Sequence, residues 1–258
     1  MTDLAGRHGV VVGVANKRSI AWAIAQAMDA AGVQLTLSYA TERFEANVRK
    51  LGATLRHEPL IVPCDVTDDR QIDGLFKEVE RAHGGLDFLV HAVAFASRDA
   101  MSRPFWETSR KDFGQALDVS AYSLVALARG AAPLMERREG GSIVTLTYLG
   151  SQRVIPNYNV MGVAKAALEA GVRYLAADLG PRNIRVNAVS AGPIKTLAAA
   201  GIAGFSQIMP HYRDRSPLRR SVTLEEVAET SMFLLGPGGS GITGEILLVD
   251  AGFHSIGM

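Results

Sequence analysis

The chain has 258 residues, 48% of them hydrophobic, and a formal net charge of +1, which suits one large α/β domain and makes no electrostatic case for nucleic acid or a membrane surface. One cysteine, Cys64, excludes an internal disulfide and a cysteine-cluster metal site. No apolar run reaches the roughly 18 residues of a membrane span, and "MTDLAGRHGVVVG" lacks a signal-peptide layout, so a cytoplasmic protein is expected.

In chain order, "GVVVG" (9–13) is a buried-strand run closed by glycine. Next, "SIAWAIAQAMDAAG" (19–32) spaces apolar residues at helical intervals up to the stop signal Gly32. Strands are predicted at "VQLTLSY" (33–39), "PLIVPCDV" (59–66), "LDFLVHAVA" (86–94), "SIVTLTY" (142–148), "IRVNAVS" (184–190) and "EILLVD" (245–250). Helical stretches fill the gaps, and Gly180-Pro181 closes the one that begins near Tyr158. This alternation predicts a single-domain, Rossmann-type doubly wound parallel sheet of about seven strands, helices on both faces, with no repeat or linker within 1–258.

Ligands of such sheets collect beyond the carboxyl ends of the strands. The first turn, "GVANKRSIA" (13–21), offers Gly13 for a sharp bend and Ser19 as an N-cap, with a helix N-terminus that can receive a pyrophosphate. It departs from G-x-G-x-x-G, because Ser19 and Ala21 stand where more glycines are expected; an ordinary strand–helix turn stays open on this stretch alone. After the second strand, "SYATER" (38–43) places Ala40 and Thr41 where a carboxylate would bind the ribose of NAD or a base the 2′-phosphate of NADP. Glu42 and Arg43 follow with opposite meanings. The lack of positive charge directly after the strand favours NADH, with NADPH as the alternative.

"NYNVMGVAK" (157–165) sets Tyr158 and Lys165 seven positions apart, two helical turns, on nearly the same face. Alone, such a pair ordinarily covers a helix surface. Here it follows "TLTYLG" (145–150) at the ligand edge, where a phenol can donate to an oxygen gathering negative charge during hydride transfer and an ammonium can grip the cofactor ribose.

Short-chain dehydrogenases that act on carbonyls carry Tyr-x3-Lys and a serine thirteen residues before the tyrosine; this chain has Gly162 and Thr145 at those positions. It resembles instead the divergent Tyr-x6-Lys branch, the bacterial enoyl-acyl-carrier-protein reductases of type II fatty acid synthesis. The blocks "GVANKRSIAWAIA", "HAVAFA", "TLTYLG", "IPNYNVMGVAKAALEA", "RVNAVSAGPIKTLAAAGI" and "ITGEILLVDAGF" carry the likeness over nearly the whole chain. The resemblance implies that Tyr158 hydrogen-bonds the thioester carbonyl, that Lys165 holds the nicotinamide ribose, and that Tyr148 is a second tyrosine facing the substrate, with Ala96 beside it. It implies cofactor contacts at Gly13, Ser19 and Ile20 on the pyrophosphate side, at Asp65 and Val66 on the adenine, at Val93, and along Ile194, Lys195, Thr196, Leu197 and Ala198. It further implies a homotetramer, an enoyl thioester on acyl carrier protein or coenzyme A, and a substrate-covering segment near 196–215. That segment is uncharged from Thr196 to Met209, and Arg213, Arg215, Arg219 and Arg220 come just beyond. Wider Tyr–Lys spacing would let the phenol serve a conjugated thioester oxygen, which lies farther from the hydride acceptor than a ketone oxygen does.

Two rivals stand beside this reading: a carbonyl-reducing short-chain dehydrogenase, and a non-catalytic dinucleotide-binding regulatory protein. Tyr39, Tyr122, Tyr174 and Tyr212 are expected to be packing or surface residues. The six histidines show no metal spacing, and His91 is expected to be structural. Cys64 reads as a core filler and Arg137-Arg138 as a solvated helix end. Gly162 and Gly171 each cost a helix roughly 1 kcal/mol against alanine, which points to a close backbone neighbour and to subunit packing.

Overall fold

The structure, a computed structural model, describes residues 4–196 and 205–257. The elements run β1 (His8–Val12), α1 (Ile20–Ala30), β2 (Gln34–Tyr39), α2 (Glu42–Gly52), β3 (Leu60–Pro63), α3 (Asp69–His83) and β4 (Phe88–His91). Then come α4 (Arg98–Ser102), α5 (Arg110–Leu117), α6 (Ser123–Glu136), β5 (Gly141–Thr147), α7 (Asn159–Leu179) and β6 (Ile184–Ala191). The chain closes with α8 (Phe205–Arg215), α9 (Leu224–Leu235) and β7 (Ile246–Val249). All seven strands join one parallel sheet in the order β3-β2-β1-β4-β5-β6-β7.

Both faces of the sheet are covered, which explains why its strands read as continuous apolar runs. Side chains alternate across a strand, so Val10 and Val12 of β1 enter one core while Val11 enters the other. The first core gathers Leu75 and Val79 of α3, Leu124 and Leu127 of α6, and Leu168 and Val172 of α7. The second gathers Ile24 and Met28 of α1 with Val227 and Leu234 of α9.

Helix ends follow local chemistry. Ser19 caps α1, its side chain accepting from Trp22 N at 3.2 Å. Asp68 caps α3, and Thr223 and Glu226 form a reciprocal capping box on α9. The helix expected over 19–32 stops at Ala30, and Gly32 turns the chain into β2 at φ +87°. Two strands, β3 and β4, are about half the length predicted. β4 ends at His91 because its neighbour β1 is turned away at Gly13, where φ is +107°; the last bond between them is Ala92 N to Val12 O, 2.9 Å. β3 ends at Pro63, and only Cys64 N carries the ladder on, to Tyr39 O at 2.8 Å. Cys64 is buried in the first core, and burial pushes its thiol up to about 12. Among the described residues no helix is long and apolar enough to cross a membrane.

The chain travels from β1 outward through β2 and β3, then returns to place β4 on the other side of β1. That reversal opens a crevice at the carboxyl ends of β1 and β4, the position where doubly wound sheets take their ligands.

Candidate active site

The site is assembled along one face of α7. Tyr158, Gly162, Lys165 and Glu169 recur at helical spacing, and the end of β5 with the turn Leu149–Ser151 lies along them. Tyr158 is presented by a turn in which Asn157 and Asn159 take φ of +62° and +38°, a region asparagine tolerates. The Asn159 amide donates to Met101 O at 3.2 Å and Arg103 O at 2.7 Å, tying the start of α7 to the end of α4.

Below it, a side chain at Gly162 would put its Cβ 2.7 Å from Gly150 O. The close backbone neighbour expected at Gly162 therefore belongs to this same chain and not to another subunit; Gly171 faces open space. One turn on, Lys165 is buried and donates from Nζ to Leu146 O at 2.7 Å. Glu169, also buried, accepts from Thr147 Oγ1 at 2.7 Å and Ser151 Oγ at 2.6 Å. Burial lowers the Lys165 ammonium to about 8, and the Glu169 carboxylate four residues on opposes that fall. An ammonium has three N–H donors, so two remain for a ligand.

The phenols complete the site. Tyr158 is 7% exposed, and burial raises it above the ordinary tyrosine value, so it is protonated and a donor at neutral pH. Tyr148, directly after β5, meets its ring edge-on with centroids 5.0 Å apart. Ala96, Phe113, Leu117, Ile155 and Tyr148 itself pack against the buried cluster that Tyr158 forms with Ala100, Ala116, Val160, Met161 and Ala164. Phe95, beside Ala96, is held by Ser120: Phe95 N donates to Oγ at 2.9 Å, and Oγ lies 3.2 Å from Phe95 O. Ser120 belongs to a π-helical turn, Asp118–Tyr122, that joins α5 to α6.

The sequence places Tyr212 among packing or surface residues; the structure packs it inside and adds a contact with Tyr148 that the sequence does not reveal. Tyr212 is buried, its hydroxyl lies 2.9 Å from that of Tyr148, and its ring stacks on Phe253 at 3.7 Å. The absent serine has a physical counterpart. Thr145 is fully buried and its Oγ1 lies 2.7 Å from His91 Nδ1, while His91 Nε2 meets Ser123 Oγ at 2.8 Å. Ser123 spends its single proton on Val119 O, so it accepts from Nε2–H and Thr145 donates to Nδ1. Burial and the nearby Lys165 charge lower His91 to about 3, keeping it neutral. Its structural reading holds.

At the crevice, a Cβ on Gly13 would meet Ala92 O at 2.3 Å and Val93 Cγ2 at 3.4 Å, so only glycine brings the first turn so close to the β4 loop. Ser19 Oγ also donates to Asn16 O at 2.8 Å, which leaves anion contacts at this helix start to backbone N–H groups. Ile20 packs against the second core. Asp65 turns its carboxylate onto Thr67 N (3.0 Å) and Thr67 Oγ1 (2.8 Å), and Val66 is buried in the first core. Both follow β3 at the ligand edge. Arg43 rests on the Phe44 ring, 4.5 Å from its centroid. After β6, Ile194 packs on the second core, Lys195 is exposed, and Thr196 N bonds Ile194 O at 2.8 Å. Leu197 and Ala198 lie outside the described residues. A glycine-only approach at the crevice, a helix N-terminus beside it and a buried lysine with spare donors fit a bound dinucleotide.

A doubly wound sheet whose ligand edge carries a phenol and an ammonium on one helix face defines a short-chain dehydrogenase/reductase. Within that class, the family described as enoyl-(acyl carrier protein) reductase matches residues 13–254, and the chain belongs to it. The chain is 52% identical over 253 residues to the NADH enoyl-[acyl-carrier-protein] reductase FabI of Bacillus subtilis (strain 168), covering 98% of this chain and 97% of that relative. Among solved structures, the Bacillus cereus enoyl-acyl carrier protein reductase with NADP+ and indole naphthyridinone superposes with TM-score 0.97 at 50% identity, over 100% of both chains. The Anaplasma phagocytophilum reductase in complex with NAD gives TM-score 0.95 at 46% identity, over 100% of this chain and 98% of that one.

Proposed function

We propose that this protein reduces trans-2-enoyl thioesters of acyl carrier protein to saturated acyl thioesters in fatty acid synthesis, with NADH as the reductant. The observation that carries the reading is the α7 face, which sets a protonated, buried Tyr158 two turns from a buried Lys165 with Tyr148 alongside. Bound NADH supplies the hydride that reduces the β-carbon. Tyr158 donates a hydrogen bond to the thioester carbonyl oxygen, where negative charge gathers, and stabilises the enolate. A proton then reaches the α-carbon, so each double bond consumes one hydride and one proton. Lys165 grips the nicotinamide ribose through the donors that Leu146 leaves unused. Gly13, Ser19 and Ile20 place the pyrophosphate, Asp65 and Val66 the adenine, Val93 lines the pocket, and Ile194, Lys195 and Thr196 after β6 add further cofactor contacts. The apolar wall of Ala96, Phe113, Leu117 and Ile155 excludes water from the enolate.

Carbonyl reduction is disfavoured, because the Thr145 hydroxyl is committed to His91 and offers nothing to a substrate. One unit, 1–258, carries both cofactor and substrate sites, and the protein works in the cytoplasm. A homotetramer is the proposed assembly, supported by the exposed Val125 of α6, Tyr174 of α7 and Phe233 of α9.

The test follows loss of reduced nicotinamide with NADH or NADPH on enoyl thioesters of acyl carrier protein and of coenzyme A, with Tyr158→Phe alongside. Turnover with NADH that collapses in Tyr158→Phe is the expected result. No turnover on either carrier with either cofactor discards enoyl reduction and puts the binding-protein reading first.

A further inference from the structure

The reaction as derived makes no use of Tyr212, yet this residue is built into the site from two sides. Its carbonyl accepts from Ser216 N (2.8 Å) and Ser216 Oγ (2.6 Å), closing the end of α8. Its ring lies on Phe253 at 3.7 Å and 20°. Phe253 is itself fixed by a turn in which Asp250 accepts from Gly252 N at 3.0 Å and His254 N at 2.9 Å and pairs with the His254 ring. Nothing in this packing needs a hydroxyl, since phenylalanine would stack as well. The hydroxyl lies 2.9 Å from Tyr148 Oη, with Tyr212 buried and Tyr148 half-buried.

We propose that Tyr212 is a positioning residue for Tyr148: its hydroxyl donates to Tyr148 Oη, leaving the single Tyr148 proton to point into the substrate space. α8 and the C-terminal turn thereby set the direction in which the second active-site phenol donates. Such a bond is polarised, holding the Tyr148 phenol down against the upward push of burial while raising Tyr212. The proposal rests on the enoyl-reductase reading for its kinetic arm only.

The experiment is a double-mutant cycle with Tyr212→Phe and Tyr148→Phe, read by kcat and KM for a trans-2-enoyl thioester and by tyrosine absorbance during alkaline titration. Tyr212→Phe alone should lower kcat/KM for the thioester by about three- to tenfold, the worth of one hydrogen bond, while KM for NADH stays put. In the Tyr148→Phe background the same change should cost less than about twofold, because its target is gone. The Tyr148 titration, assigned by its loss in Tyr148→Phe, should move to higher pH in Tyr212→Phe. An undiminished loss in the Tyr148→Phe background, no loss at all, or an unmoved Tyr148 titration overturns the proposal. The titration needs no turnover, so it separates failure of this proposal from failure of the enoyl-reductase reading.

Discussion

Gly150→Ala isolates the seating of Tyr158. Gly150 does not take a left-handed φ, so alanine brings no backbone strain and acts through contact alone. Its Cβ would stand 2.4 Å from Tyr158 Cδ1 and 2.7 Å from Cε1. Carbon atoms rest at about 3.5–4.0 Å, so the ring must retreat by roughly 1 Å or more. The turn is held from lifting away by its next residue, Ser151, whose Oγ donates to the buried Glu169 of α7 at 2.6 Å. Nor can the ring swing sideways past Tyr148, whose centroid is 5.0 Å away. A misplacement of about 1 Å in a catalytic group costs on the order of 100-fold in rate, and overpacking costs about 1–3 kcal/mol of stability. The variant should therefore lose about 100-fold in kcat, with NADH affinity nearly intact because Lys165 is anchored upstream at Leu146 O. Initial rates at saturating substrates give the first quantity, and NADH fluorescence titration gives the second. A kcat within about twofold of the parent would refute the claim that Gly150 seats the phenol.

The remaining predictions concern the cofactor side. In the proposed role Lys165 binds the ribose as the ammonium, which burial lowers to about 8, so kcat/KM for NADH should be level below that pH and fall by about tenfold per unit above it. Glu169→Gln removes the charge that raises Lys165, so the falling limb should move to lower pH; an unmoved limb would separate it from Lys165. Gly13→Ala forces φ +107° on an L-residue and drives its Cβ onto Ala92 O, which should cost about 1–3 kcal/mol in strain alone and show as a lowered melting temperature and weakened NADH binding. Ala40→Arg sets a guanidinium directly after β2 at an exposed position, so the ratio of kcat/KM for NADPH to that for NADH should rise. An unchanged ratio would show that the ribose is read elsewhere.

What the sequence determined by itself is the part of this protein governed by short-range rules. Strand and helix alternation, the Ser19 cap, the stop of α7 at Leu179 before Gly180-Pro181, and the shared face of Tyr158 and Lys165 all depend on residues within a few turns of one another. They were legible because backbone periodicity and capping chemistry act locally. The resemblance to a known branch added the roles, since nothing in the spacing alone separates a reductase pair from a decorated helix. The tertiary structure decided whatever joins distant segments. β3 ends where β2 stops beside it and β4 where β1 turns away, which no run of apolar residues reveals. Gly162 looked like a subunit contact until the Gly150 carbonyl was found against it. The Thr145 hydroxyl turned out to be spent on His91, 54 residues away in sequence. Tyr212 had no local signal at all: its partners Tyr148 and Phe253 come from the turn after β5 and the C-terminal turn, and only the folded chain sets three aromatic rings in a row beside Tyr158.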